Sequence, residues 1–299
     1  MSGMKKQLRR RVMGIALLVI GIVLALFVRH EPPYRGKIVA GAQPLIIAHR
    51  GFGNHAPDNS LVAVRMAIDS GLDGVDLDAQ MTADGELVIF HDPSLDRLTD
   101  RSGFIKDLTV EEITQADLGS KFGPAFAGER PATLEEVIQE VAGRLLVIVE
   151  LKASGIRSDG SEDQAIQLIR KYDAYEFVYL SSFNPFVLYR LRKRDPRLHT
   201  VFIFKDENVD PDKLREIHPT ELKGIPFFLR QEPYRRLIRR MIEPDLLSAE
   251  ITVKEQTVRD LQAKGHPVML WPPNTEAQIH QSIARNPWGI ITDEPLITD

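Results

Sequence analysis

Three short apolar runs in the first third of the chain each stop at residues able to move protons or hold anions. Leu45-Ile46-Ile47-Ala48 ends at His49-Arg50-Gly51, Gly74-Val75 passes into Asp76-Leu77-Asp78, and Leu87-Val88-Ile89-Phe90 ends at His91-Asp92. An imidazole, with an ordinary pKa near 6.5, both takes and gives a proton near neutral pH. A guanidinium offers a planar fork to the non-bridging oxygens of a phosphate, and a lysine adds a point charge. Residues two apart on a strand face the same way, so Asp76 and Asp78 point together, as do Glu150 and Lys152 after the run Leu145 to Val149. Gathered in one place these are the makings of a phosphate-ester site. His49 and His91 are the candidate acid–base pair, and Arg50 and Lys152 the candidate phosphate ligands. Asp76, Asp78 and Glu150 are hard oxygen donors of the kind that suits Mg²⁺ or Ca²⁺ better than zinc. The acids alone fit a salt-bridge network with Lys152 and Arg50 equally well.

A closed parallel barrel would bring them together, because the carboxyl ends of all its strands face one rim. Further strands are expected at Phe177 to Leu180, Val201 to Phe204, Leu246 to Ile251, Val268 to Trp271 and Gly289 to Thr292, with helical spacing between most of them. Ser60 reads as the N-cap of a helix ending at Gly71, and Thr133 with Glu136 as a capping box. The expected fold is a TIM-type (β/α)8 barrel with an inserted loop region after the third strand. There are nine strand candidates for eight places, so one is not a strand or one lies outside the barrel, and Leu246 to Ile251 is the weakest of them. Only Ala79 to Glu86 separate Asp78 from the next run, too few for a helix, so parallel strands there require an extended return. A tight hairpin would carry His91 away from Asp76. Pro93 to Arg130, long and polar with a short helix at Val110 to Ala116, reads as a cover over the barrel mouth or as a passive surface insertion. Pro233 to Met241 sets Tyr234, Leu237, Ile238 and Met241 opposite four arginines. It reads as an outer barrel helix buried on its apolar face, the sharper alternative being a membrane-surface helix.

At 299 residues and 43% hydrophobic content, the chain suffices for one large core. Its net charge of -4 argues against a nucleic-acid partner, and without cysteine there is no disulfide or thiol chemistry. Residues 1–11 form a basic tail and 12–28 an uninterrupted apolar run, about 26 Å long as a helix and so close to spanning a bilayer core. This reads as a transmembrane anchor, with a cleaved signal peptide as the alternative. Residues 29–43 then form a tether and 44–299 the barrel domain. The positive-inside rule puts the N-terminus in the cytoplasm, the anchor in the inner (cytoplasmic) membrane and the barrel on its periplasmic or extracellular side.

From His49-Arg50-Gly51 through Ala56-Pro57-Asp58-Asn59-Ser60, Asp76-Leu77-Asp78, Thr82-Ala83-Asp84-Gly85 and His91-Asp92, the order of motifs resembles the glycerophosphodiester phosphodiesterases. The resemblance continues through Pro131 to Val137, Glu150-Leu151-Lys152, Ser181-Ser182-Phe183 and Gly289 to Asp293, covering nearly everything after the first forty residues. It implies a membrane-anchored bacterial-type enzyme that uses one divalent cation, Ca²⁺ or Mg²⁺, held by Asp76, Asp78 and Glu150. The substrate would be a small-molecule glycerophosphodiester, split into glycerol 3-phosphate and an alcohol by the two histidines. Asp58, Phe183, Trp271 and Phe104 are candidates to line the pocket. The sequence departs from the family pattern at Asp76, where the family usually has glutamate, and at Asp58-Asn59-Ser60, where it has Glu-Asn-Thr. Two rival expectations follow: a lysophospholipase D-like lipid phosphodiesterase acting on lysophospholipids, and a non-catalytic anchored binding barrel.

Overall fold

The computed structural model describes residues 33–38, 41, 43–206 and 232–296. In chain order the strands are β1 (Leu45–His49), β2 (Gly74–Met81), β3 (Leu87–Ile89), β4 (Ala132–Thr133), β5 (Leu146–Leu151), β6 (Val178–Ser182), β7 (His199–Phe204), β8 (Leu246–Glu250), β9 (Val268–Trp271) and β10 (Gly289–Thr292). Eight of them, in the order β1-β10-β9-β8-β7-β6-β5-β2, pair in parallel and close through β2 onto β1. This is the expected barrel. Helices α1 (Leu61–Asp69), α4 (Leu134–Val141), α5 (Ser161–Lys171), α6 (Pro185–Arg194), α7 (Glu232–Ile242), α8 (Glu255–Ala263) and α9 (Glu276–Ile283) carry the returns. The short α2 (Val110–Thr114) and α3 (Gly119–Phe122) lie in the insertion.

The helices form where the sequence places caps and stripes. Ser60 Oγ accepts from Ala63 N at 3.1 Å, and Thr133 and Glu136 make the reciprocal capping box of α4. Leu134, Val137, Ile138 and Val141 recur at helical spacing and are all buried. Each such side chain contributes about 1.5–3 kcal/mol relative to exposure.

Two strand expectations are corrected. Leu246–Glu250 is a full barrel strand, paired to β7 and β9, and outside the barrel lie the two-residue β4 and, between it and β2, the candidate strand β3. It returns antiparallel along β2, with Ala79 opposite Ile89, Gln80 opposite Val88 and Met81 opposite Leu87. His91 is not carried off by this hairpin, because β2 outruns the rim by the length of the pairing. The returning strand therefore comes back down to rim level, where Phe90 N donates to Asp78 O at 2.8 Å.

Residues 93–130 pack beside the rim, with Pro93, Phe104 and Lys106 lining a cleft next to the mouth. Leu95, Ile105, Ile113, Ala116 and Leu118 pack with Val88 and Phe90 into a satellite core beside the rim. Helix α7 is an outer helix with a mixed inner face: Arg235, Ile238, Arg239 and Ile242 are buried, while Tyr234 and Met241 are exposed. Arg235 donates to Lys205 O at 2.8 Å and Asp206 Oδ1 at 2.5 Å and stacks on Phe204, and Arg239 pairs with Glu232 at 2.5 Å. Asp206 after β7 and Glu232 at the start of the helix itself pair with the two arginines and let them share the inner face with Ile238.

The anchor at 12–28 lies outside the described residues; among those described, no helix is long and apolar enough to cross a membrane. Part of the tether is described, and it is docked. Tyr34 Oη donates to Asp245 O and accepts from Ile38 N, both at 2.8 Å, and Ile38 joins the apolar cluster that fills the amino end of the barrel.

Candidate active site

Along each barrel strand, the inward residues change from apolar at the floor to polar at the exit: Ile47 to His49, Ile148 to Glu150, Val201 through Ile203 to Lys205, Met269 to Trp271. The exits enclose a cavity of about 230 Å³ with Ile148, Val201, Met269 and Ile291 as its floor. Of the residues singled out from sequence, His49, Arg50, Asp76, Asp78, His91, Glu150, Phe183 and Trp271 all line it. Phe183 and Trp271 meet edge to face, their ring centroids 5.8 Å apart. Lys152 reaches in from the side, with Nζ 3.1 Å from Asp78 Oδ1 and 3.2 Å from Glu150 Oε2. Asp58 is not a lining residue. Its carboxylate accepts from Arg50 at 2.8 Å and thereby holds the guanidinium over the cavity. Phe104, half exposed, lines a second cleft of about 750 Å³ that shares His91, Glu150 and Phe183 with the first.

Each imidazole is held through Nδ1 by a carboxylate. His49 meets Asp293 Oδ1 at 2.6 Å, and His91 meets Asp92 Oδ1 at 2.9 Å. The pairing assigns the proton to Nδ1 and leaves Nε2 as the basic nitrogen. Asp92 is clamped in turn by Arg97, at 2.6 and 2.9 Å. Burial pushes Asp92 and Asp293 up, but their cationic and hydrogen-bond partners prevail and hold both below the usual carboxylate range. Gly53 lets the turn after β1 approach Asp293 closely: a Cβ there would meet Asp293 O at 2.0 Å.

The two acids of β2 are driven apart. Burial raises both, but Asp78 faces Lys152, His91, Arg50 and His49, which together pull it far below its ordinary value. Asp76 is raised well above it, first by burial and then by Asp78 and Glu150. Opposed shifts of neighbouring carboxyls mark a site in which charge is placed for use. Asp78 is further fixed by Asn59, which donates to Oδ2 and accepts from the Asp78 N–H, both at 2.9 Å. Asn59 and Arg50 both have positive φ, 58° and 52°, so this loop stores backbone strain at the rim.

Asp76, Asp78 and Glu150 form a donor set with the right chemistry for a hard cation, and the crowding of negative charge on Asp76 is what a cation relieves. As they stand, however, Lys152 spans Asp78 and Glu150. Among the described residues, no group of three His, Asp or Glu side chains is arranged to hold a metal ion. Asp293, Asp92, Arg97 and Asn59 were not anticipated as site residues, and neither were Lys205 and Glu250, which line the far wall.

Fold and rim together define a TIM-type barrel with the acid–base and anion-binding groups of a phosphoester hydrolase. The sequence profile of the glycerophosphoryl diester phosphodiesterase family matches residues 49–297. The chain belongs to this family and is a phosphoric diester hydrolase. It is 33% identical over 252 residues to the glycerophosphodiester phosphodiesterase of Caldanaerobacter subterraneus, covering 84% of this chain and 94% of that one. To the Bacillus altitudinis enzyme of the same name it is 31% identical, with the same coverage. Among solved structures, an Oleispira antarctica phosphodiesterase in complex with its product sn-glycerol-3-phosphate superimposes with a TM-score of 0.70 at 24% identity, over 85% of this chain and 94% of that one. At that identity the likeness speaks to the barrel fold.

Proposed function

We propose that the chain hydrolyses glycerophosphodiesters to sn-glycerol 3-phosphate and an alcohol at the barrel mouth, with His49 and His91 dividing the proton transfers. What carries this reading is the pair of carboxylate-held imidazoles on one small cavity with Arg50 between the acids. A diester has two alcohol arms, and His91 stands on the wall common to the cavity and the outer cleft, whereas His49 lines the cavity alone. The glycerol phosphate half then belongs in the smaller cavity and the departing alcohol in the larger cleft. His49 Nε2 takes a proton from the attacking water as the water oxygen bonds to phosphorus. His91, as the imidazolium held by Asp92, gives its Nε2 proton to the alcohol oxygen as the bond from that oxygen to phosphorus breaks. Arg50, fixed by Asp58, binds non-bridging oxygens.

Asp76, Asp78 and Glu150 would hold a divalent cation, Ca²⁺ or Mg²⁺, once Lys152 withdraws to the phosphate. Such an ion, when bound, supplies positive charge that polarises the phosphoryl group. The basic tail and apolar run at 1–28 support a barrel tethered to the outer face of a bacterial inner membrane, with the N-terminus cytoplasmic. The test is release of sn-glycerol 3-phosphate from glycerophosphocholine by the purified chain with Ca²⁺, Mg²⁺ or a chelator. Release that depends on added cation is expected. No release under any of the three conditions contradicts the reading.

A further inference from the structure

The segment ahead of the barrel is fastened to the end of the molecule opposite the mouth. In a (β/α)8 barrel the loops that lead from each helix into the next strand lie at the amino end, and residues 34–38 touch three of them. Tyr34 N donates to Lys264 O at 3.0 Å and the Tyr34 ring meets His266 edge to face, both in the loop from α8 to β9. Tyr34 Oη donates to Asp245 O at 2.8 Å and Arg35 faces Glu243, both in the loop from α7 to β8. Lys37 Nζ donates to Pro196 O at 3.0 Å and to Arg197 O at 3.2 Å, in the loop from α6 to β7. Ile38 is buried in the apolar cluster behind the barrel floor. Burial pushes the Tyr34 hydroxyl up to about 12, so it stays a donor across the physiological range. The contacts span three separate loops, and together they grip the chain across the amino face.

We propose that this amino-end face is the bilayer-facing surface of the protein, so that the mouth opens away from the membrane that holds the anchor. The proposal rests on reading residues 12–28 as a membrane anchor and goes beyond it by fixing which end of the barrel meets the lipid. Only Arg29 to Pro33 separate Val28 from Tyr34. Even fully extended, at about 3.3–3.6 Å per residue, that stretch reaches about 20 Å. The rim stands at the far end of β5 and β7, six residues each, which puts it about 15–20 Å beyond the amino face before any loop is added. To lay the mouth on the lipid, the chain would have to run from the amino face around the side of the barrel. Five residues are too few for that while Tyr34 stays docked. Substrate then arrives from the aqueous phase on the far side, and headgroups of the anchoring leaflet lie out of reach of His49 and His91. Phe104 and Ile156, exposed on the mouth side, face water rather than lipid.

The chain has no cysteine, so a single introduced thiol carries a fluorophore to one place. Lys264→Cys on the amino face and Ser154→Cys in the loop after β5, both at exposed positions, are labelled in the full chain and reconstituted into phosphatidylcholine vesicles, a fraction of whose headgroups bear a nitroxide quencher. With a reach of about 20 Å, the Lys264 label is expected to be quenched at least about 3-fold more than the Ser154 label. Adding Tyr34→Ala, which removes both hydrogen bonds of the hydroxyl and the ring contact, should narrow that difference. Equal quenching at the two positions, stronger quenching at Ser154, or a difference that survives Tyr34→Ala unchanged would overturn the orientation. Flotation of the labelled chain with the vesicles separates this failure from failure of the underlying reading: a chain that floats but quenches equally at both positions sinks the orientation alone, and one that does not float sinks the anchor on which it rests.

Discussion

The two ends of this barrel are built from the same strands and share almost no chemistry. At the amino end, Ile38, Ile47, Ile148, Tyr179, Val201, Leu246, Met269 and Trp288 pack into one apolar cluster, with Tyr179 and Trp288 stacked at 6.4 Å between centroids. At the carboxyl end, two or four residues further along β1, β5 and β7, His49, Glu150 and Lys205, with Asp76 and Asp78 of β2, crowd charge into a space that burial makes unfavourable for it. The first end releases free energy on folding and the second consumes it. The mouth can therefore be altered chemically at little cost in stability, and the floor structurally at little cost in chemistry.

The largest effect expected from this division is at the histidines. His49→Ala or His91→Ala should lower kcat about 10²- to 10⁴-fold, the usual yield of a positioned acid or base, while the melting temperature stays near that of the unmodified chain in a thermal scan. The mirror image is Trp288→Ala, at a position 6% exposed in the floor cluster. It should lower unfolding free energy by about 3–5 kcal/mol, read by denaturant titration, with kcat/KM of the folded fraction unchanged. A mouth residue that destabilises as much as Trp288 does, with activity preserved, would break the contrast.

Asn59→Ala should fall between the two. It removes both hydrogen bonds to Asp78 and leaves a buried N–H and carboxylate under-satisfied, a loss of about 1–3 kcal/mol, together with weaker turnover because Asp78 is no longer aimed. Asp76→Asn should move stability the other way. In the folded chain Asp76 titrates well above its ordinary value, so from about pH 4 upward the folded state retains a proton that the unfolded chain has lost. Stability therefore declines as pH rises from there toward the raised value, and Asn removes the decline. Asp78 has the opposite sign: its depressed value stabilises above the ordinary carboxylate range and the benefit is lost as acid protonates it. Melts of the two forms across pH 4–8 in chelator should converge at the acid end and separate toward neutrality, the Asn form melting higher by about 2 °C or more.

The mouth was legible in the sequence where a strand exit is a local event. A short apolar run ending in a polar residue sufficed to place His49, Asp76, Asp78 and Glu150. Partners supplied by closure were not legible. Asp293 stands 244 residues from His49 and meets it because Ala48 and Thr292 are in register across the β1–β10 seam. The β2–β3 hairpin was misread although Asp84-Gly85 is a turn signal, with Gly85 at φ +87°. The error lay in supposing that β2 ends at the rim. The inward arginines of α7 were hidden for a different reason. An amphipathic pattern says which residues share a face, and it does not show that Asp206 after β7 and Glu232 on the helix itself neutralise Arg235 and Arg239 and let them be buried beside Ile238.

The division of labour between the histidines is the central claim, and its most direct measurement varies the departing group. Hydrolysis of glycerophosphocholine, whose alkoxide leaves poorly, is compared with that of glycerophospho-p-nitrophenol, whose phenolate needs little protonation, in the unmodified chain, His49→Ala and His91→Ala. The account predicts that His91→Ala loses about 10²-fold or more on the choline ester and less than about 10-fold on the nitrophenyl ester, while His49→Ala loses heavily on both. Equal losses on both esters for His91→Ala, or rescue of His49→Ala by the better leaving group, would contradict it.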